Sequence, residues 1–427
     1  MVHQAGSSAA DPEITFTEFT LDNGLHVILH EDHSTPIVAV GVMYHVGSKD
    51  DAPGRKGFAH FFEHLLFEGS ANIPRGEFSR HVERAGGQLN ANTSSDRTYY
   101  YEVLPSNRLA LGLWLERERM LHARVDRQGV DTQRDVVREE WRQMYENRPY
   151  GNLLPEVLRR AYSDHPYQWP VIGHMPDLES AGEGDFRDFY QRYYVPRNAV
   201  LVLAGDFDTV QARELVHHYF DDIPMGAEVP RTPLPVAGLE HEVRAVVHDR
   251  VELPAVVQAY RIPPVRDPAF MPVDLLLHGM SSGHAARLKR ALKDRHRLAV
   301  QVGSFALPFE QGGLAMIFAI ANTGVDPSVL ERAMDEELQR LRETTMEPAE
   351  LDAIRTRARM EAVQGMRRMA GVAHRLATAH ILQGGAHAVR DELARMAGVT
   401  LQDIRQAALD HLDPARRVLL HYLPAHS

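Results

Sequence analysis

Apolar residues recur along this chain in two rhythms. In the stretch Gly57–Gly69, Phe58, Phe61, Phe62, Leu65 and Leu66 fall at i, i+3, i+4, i+7 and i+8. That is the stripe of a short helix with one buried side. His60, Glu63 and His64 share another face, and Gly69 stands where a left-handed residue would cap the helix. Elsewhere the pattern is that of strands. Ile14–Leu21 alternates, Asp22-Asn23-Gly24 is a hairpin turn, and Leu25–Leu29 returns. Ile37–Val46, the pair Gln88–Thr93 and Arg97–Leu104, and Asn198–Ala204 read as further strands. Glu77–Ala85, Leu109–Leu121 and Phe186–Tyr194 read as helices.

The second half follows the same order. Val251–Ile262 resembles Ile37–Val46, and helical patterns run over 327–344 and 347–369. The helix 402–411, a proline and the strand 417–422 match the helix 186–194, Pro196 and the strand 198–204. Residues 222–238, with Pro224, Pro230, Pro233 and Pro235, read as a linker. The expected fold is α+β, with two tandem homologous domains, each a mainly antiparallel sheet packed with helices. Their bounds are 14–221 and 239–427, units of about 200 residues each.

Composition narrows the function. An apolar content of 44% and a charged content of 25% are those of a globular protein. A net charge of −11 argues against nucleic acid or an anionic membrane as main partner. No apolar run reaches membrane-spanning length. Cysteine is absent, so any metal must be held by histidine and carboxylate. Met1 to Pro12 lacks an apolar leader segment. The expectation is therefore a cytoplasmic protein, or a periplasmic one whose signal peptide has been removed.

His60-Phe61-Phe62-Glu63-His64 is His-x-x-Glu-His, the inverse of the commoner zincin motif. Two imidazoles at i, i+4 can grip one ion, and the glutamate between them can reach a water on it. With 24 histidines in the chain, a chance match is on the order of one in ten, so the motif needs a third ligand. The helix expected over 131–146 offers one. Val136, Val137, Trp141, Met144 and Tyr145 mark its apolar face, and Glu140 lies on that face, while Glu139 points to water with Asp135, Arg142 and Gln143. A buried Glu140 wants a cation, either a metal or an arginine. Gly279-Met280-Ser281-Ser282-Gly283 has the form of a serine nucleophile turn but reads as a glycine-rich loop between helices.

These residues coincide with a known family. His60 to Ser70 resembles the active-site helix of the pitrilysin/insulinase-type zinc peptidases, which include the mitochondrial processing peptidase. Arg134 to Glu140 is similar to the family's second signature, whose ligand glutamate lies about 76 residues after the second histidine, as Glu140 lies 76 beyond His64. Gly86 to Thr93 resembles its substrate-binding edge strand. The resemblance spans about residues 15–425.

It implies a zinc metallopeptidase acting on small or unfolded peptides, with one Zn²⁺ per chain on His60, His64 and Glu140, Glu63 as general base, and substrate along Asn90, Ala91, Asn92 and Thr93. Two departures stand out. Gln133 occupies the place of a helper glutamate. Lys293 and Val300 occupy the places of an Arg and a Tyr that bind substrate in the family. The resemblance therefore implies a heterodimer in which a paralogous chain supplies that pair, or otherwise a homodimer. The alternatives are a non-catalytic core or assembly subunit of the same fold, and a zinc hydrolase of a non-peptide substrate.

Overall fold

The computed structural model describes residues 14–425 apart from 232, 233, 235, 284, 285 and 345. Met1 to Pro12, Pro233 and Pro235 of the expected linker, and the last two residues of the expected second domain lie outside the described residues.

Two sheets organise the chain. The first contains β1 (Thr17–Thr20), β2 (His26–Glu31), β3 (Ile37–Tyr44), β4 (Gln88–Thr93), β5 (Thr98–Pro105) and β6 (Ala199–Gly205), in the order β1-β2-β6-β3-β5-β4. The second contains β7 (Val243–Asp249), β8 (Ala255–Ile262), β9 (Ala299–Pro308), β10 (Gly313–Ala321) and β11 (Val418–Pro424), in the order β7-β11-β8-β10-β9. Without β1, the two orders superpose strand for strand. Each begins with one parallel pair, β2 with β6 and β7 with β11, and continues with antiparallel pairs. The chain is a duplicated α+β unit.

β7 was not expected from the sequence. It is an edge strand whose alternate residues, among them Arg244 and His248, face outward. Its apolar residues are interrupted by Arg244 and end at His248 and Asp249, which breaks the strand pattern.

The halves exchange helices. Met369–Leu382, from the second half, lies on the first sheet, where Val372, Ala373 and Leu376 meet Ile28, Ala39 and Val202. Leu153–Ala161, from the first half, lies on the second sheet, where Val157 and Leu158 meet Val257, Met316 and Val418. Covering both faces explains why β6 reads Ala-Val-Leu-Val-Leu-Ala-Gly and is buried throughout.

The turn between β9 and β10 also docks into the first half. Lys49 sits 2.8 Å from Asp96 and pairs with Glu310, while Asp96 accepts from the Glu310 backbone N–H (3.0 Å) and the Tyr167 hydroxyl (2.6 Å). His45 is 2.9 Å from Glu310. Burial alone would raise the Glu310 carboxyl, but the hydrogen bond to His45 and the charge of Lys49 outweigh it and hold it at about 2. A carboxyl held below its ordinary 4.5 stabilises the docked state above that pH and loses the contribution as pH falls towards 2. Melting temperature should therefore drop more steeply between pH 4.5 and 2 in the parent protein than in Glu310→Gln. Identical slopes in a thermal titration would contradict this docking contribution.

Candidate metal centre

The helix that carries His60, Glu63 and His64 is Phe58–Leu65, shorter than its sequence pattern. It starts at Gly57, whose φ of +99° suits glycine and where a Cβ would sit 2.5 Å from the Ile172 carbonyl oxygen. Gly57 has no side chain to cap the helix, and Asp51 does so from the preceding loop. Its carboxylate accepts the Gly57 N–H at 2.7 Å and the Ala59 N–H at 3.0 Å. Burial pushes the Asp51 carboxyl well up, and those two N–H groups pull against it. At the other end Leu66, not Gly69, is the cap; Gly69 (φ +116°) belongs to the next turn. The buried Arg119 guanidinium donates to the Leu66 carbonyl at 3.0 Å, over the rings of Phe67, Phe78 and Tyr100. Arg119 is paired in turn with Glu116 (3.1 Å) and Glu102 (3.4 Å). The Tyr100 hydroxyl donates to the Phe62 carbonyl at 2.8 Å. The apolar side packs on helix Glu183–Tyr193, with Phe58 stacked on Phe186 at 4.4 Å and Phe62 on Phe189 at 5.3 Å.

So held, the helix presents His60 and His64 with ring centroids 4.9 Å apart and planes at 74°. The glutamate helix, Arg127–Trp141, crosses beside it. It is capped by Asp126, which accepts the Gly129 N–H at 2.8 Å, and is seated by the fully buried Val137. Glu140 lies at its end, just before the chain widens into a π-type turn over Arg142–Glu146. Glu140 Oε2 is 3.5 Å from His60 Nε2 and 3.2 Å from His64 Nε2. Contact with His60, then His64, holds its carboxyl far below the usual range.

These distances fit a zinc ion. Ligands ~2.0–2.1 Å from a tetrahedral centre stand ~3.3 Å from each other, close to the two separations found. Glu140 Oε2 is buried, and although both ring nitrogens are near, it makes no hydrogen bond to either. A cation between the three donors satisfies it. A second cluster, Glu18, His26 and His380, has a different shape. Its rings stack at 3.9 Å with nearly parallel planes (13°), where those of His60 and His64 stand at 74°.

Glu63, Asn92 and Thr93 line one cavity of about 910 Å³ with His60 and Glu140. Asn90 is exposed farther along β4, and Ala91 is buried in the core beneath it. The far wall comes from the second sheet, through Phe305, Leu307 and Phe318. Tyr145, Tyr150 and Trp169 line the same cavity, and no motif in the sequence marked them.

The glutamate helix differs from its expected face. Val136 and Met144 are 44% and 40% exposed, because the neighbouring helix covers only the narrow strip around Val137 and Met144 turns to the cavity. Gln133 donates to Glu68, which also pairs with Arg75 at 3.2 Å, so the amide keeps a hydrogen-bonding role where a carboxylate was expected. Lys293 is exposed on the segment Lys289–Arg295, and Val300 is 39% exposed at the start of β9; neither lines the cavity. Ser281 lies in the last turn of helix Phe270–Ser281, not in a loop, and accepts the Ser304 N–H at 2.9 Å.

Comparison with known proteins agrees with the fold. Residues 26–174 match the family model described as insulinase (peptidase family M16), and residues 182–358 match the one described as peptidase M16 inactive domain. The chain belongs to this peptidase family. The zinc protease PqqE of Helicobacter pylori is 28% identical over 95% of this chain and 92% of its own. An uncharacterised zinc protease of Streptomyces coelicolor is 26% identical over 93% of this chain and 87% of its own. The crystal structure of a protease from Helicobacter pylori matches with a TM-score of 0.91 and 28% identity, over 96% of this chain and all of that one. Among the described residues no helix is long and apolar enough to cross a membrane.

The purified protein should bind one zinc ion, and Glu140→Gln should weaken it by more than about 100-fold, since even outer-shell losses cost 10–100-fold. Competition against a chelating dye measures this. An affinity within twofold of the parent would remove Glu140 from the ligand set.

Proposed function

We propose that this chain is a zinc metalloendopeptidase that hydrolyses peptide bonds in small or unfolded peptides, with Glu63 as the general base. The observation that carries this reading is the convergence of His60, His64 and Glu140, with His60, Glu140 and Glu63 lining an apolar cavity bordered by an edge strand. Zinc held there supplies Lewis acidity, lowering the pKa of water and polarising the scissile carbonyl.

The chain's own groups do the rest. Glu63 takes the proton of the attacking water and hands it to the leaving amine. Substrate adds itself as a strand to the outer edge of β4, which pairs only with β5 among the described strands. The Ala91 N–H on β4 donates to the Asn90 carboxamide at 2.8 Å, and a pairing peptide displaces that side chain. Phe305, Leu307 and Phe318 form a dry opposing wall that favours apolar side chains near the cut. A cavity of about 910 Å³ holds a short extended segment and excludes folded domains.

The exposed positions of Lys293 and Val300 support a further proposal about partners: a paralogous chain supplies the Arg and Tyr in a heterodimer, and a homodimer is the other arrangement. Adding such a paralogue should raise peptide cleavage sharply in a quenched-fluorescence assay. Full activity of the chain alone would rule out the requirement.

Glu63→Gln should retain zinc while kcat falls about 10²–10⁴-fold. Substantial residual hydrolysis in the zinc-loaded variant would assign the base elsewhere.

A further inference from the structure

A second pocket, of about 580 Å³, lies at the opposite end of β4 from the metal. Gln88 and Asn90 of β4 form one side. Arg367 and Arg368, just before helix Met369–Leu382, form the other. Both arginines are exposed, and among the described residues neither side chain has an ion-pair or hydrogen-bond partner. No carboxylate lines the pocket. This is unusual in a chain with a net charge of −11. The other arginine-rich cavity, by contrast, holds its own anions: Arg287 pairs with Glu350 at 2.6 Å and Arg340 with Glu337.

The strand links this pocket to the chemistry. Thr93 lines the metal cavity and Gln88 the arginine pocket. At about 3.3 Å per residue they stand roughly 17 Å apart along β4. A peptide paired to the β4 edge, with its scissile bond at the metal, carries a residue about five positions away to the arginines.

We propose that this pocket is a binding subsite for acidic side chains of the substrate, four to six residues from the cleaved bond. The idea rests on the peptidase reading above. Guanidinium groups take carboxylates in paired hydrogen bonds. At this exposure the attraction is modest and screened by salt. It therefore acts on KM more than on kcat.

The test uses three peptides with one cleavable core, carrying Glu-Glu, Gln-Gln or Lys-Lys at that distance on either side of the bond. Their binding to zinc-loaded Glu63→Gln is followed by fluorescence anisotropy, and their cleavage by the parent enzyme in parallel. The Glu-Glu peptide placed on one side should bind about tenfold tighter than Lys-Lys, with the gain lost in high salt. Arg367→Glu with Arg368→Glu should reverse the order and leave cleavage of the bare core unchanged. Equal binding of all three peptides, or an equal loss for all three in the double variant, overturns the subsite. If the binding order holds but no peptide is cut, the subsite stands and the peptidase reading falls.

Discussion

An eight-residue helix is too short to be stable by itself, so the direction of Phe58–Leu65 depends on what grips its ends. Asp51 holds the first turn and Arg119 the last carbonyl, and both are buried. Arg119 is a buried cation beside two carboxyls. Burial, then the charge of Glu116, pushes the Glu102 carboxyl well up, and the Arg119 guanidinium pulls against both. With both ends fixed, the phenylalanines lock into helix Glu183–Tyr193, and His60 and Glu63 line the cavity, with the His64 ring beside that of His60. The geometry of the candidate site follows from this packing: two imidazoles at 74° to one another, and Glu140 brought up on a separate helix.

The exchanged helices make the cavity a property of the whole chain. Each sheet needs a helix from the other half to dry one of its faces. The turn bearing Glu310 fastens the second sheet against the first around Lys49 and Asp96. His60, Glu63 and Glu140 come from the first half and the apolar wall from the second, so the cavity exists only when the two are docked. Duplication thus yields two different surfaces from one topology, a polar one with the metal donors and an apolar one facing it.

Local signals made much of this legible in the sequence. The helical stripe, the inward phase of Glu140 and the repeated helix-proline-strand ending depend on residues a few positions apart, and the structure has the duplicated unit they suggested. What the sequence did not show is set by contacts between distant residues. Asp51 caps a helix from outside it, and Arg119 reaches one 53 positions away. β7 is masked by the Arg244 and His248 that interrupt its apolar residues. Val136 and Met144 matched the helical period, but period alone does not say how wide the covering surface is, and both are exposed. The cavity wall of Phe305 and Phe318 is a plain strand pattern until the two sheets face each other.

The central claim is that His60, His64 and Glu140 form one zinc site facing Glu63. An anomalous difference map recorded at the zinc edge tests it most directly. The account predicts a single strong peak bounded by His60 Nε2, His64 Nε2 and Glu140 Oε2. No peak there, or a peak instead at Glu18, His26 and His380, would contradict it.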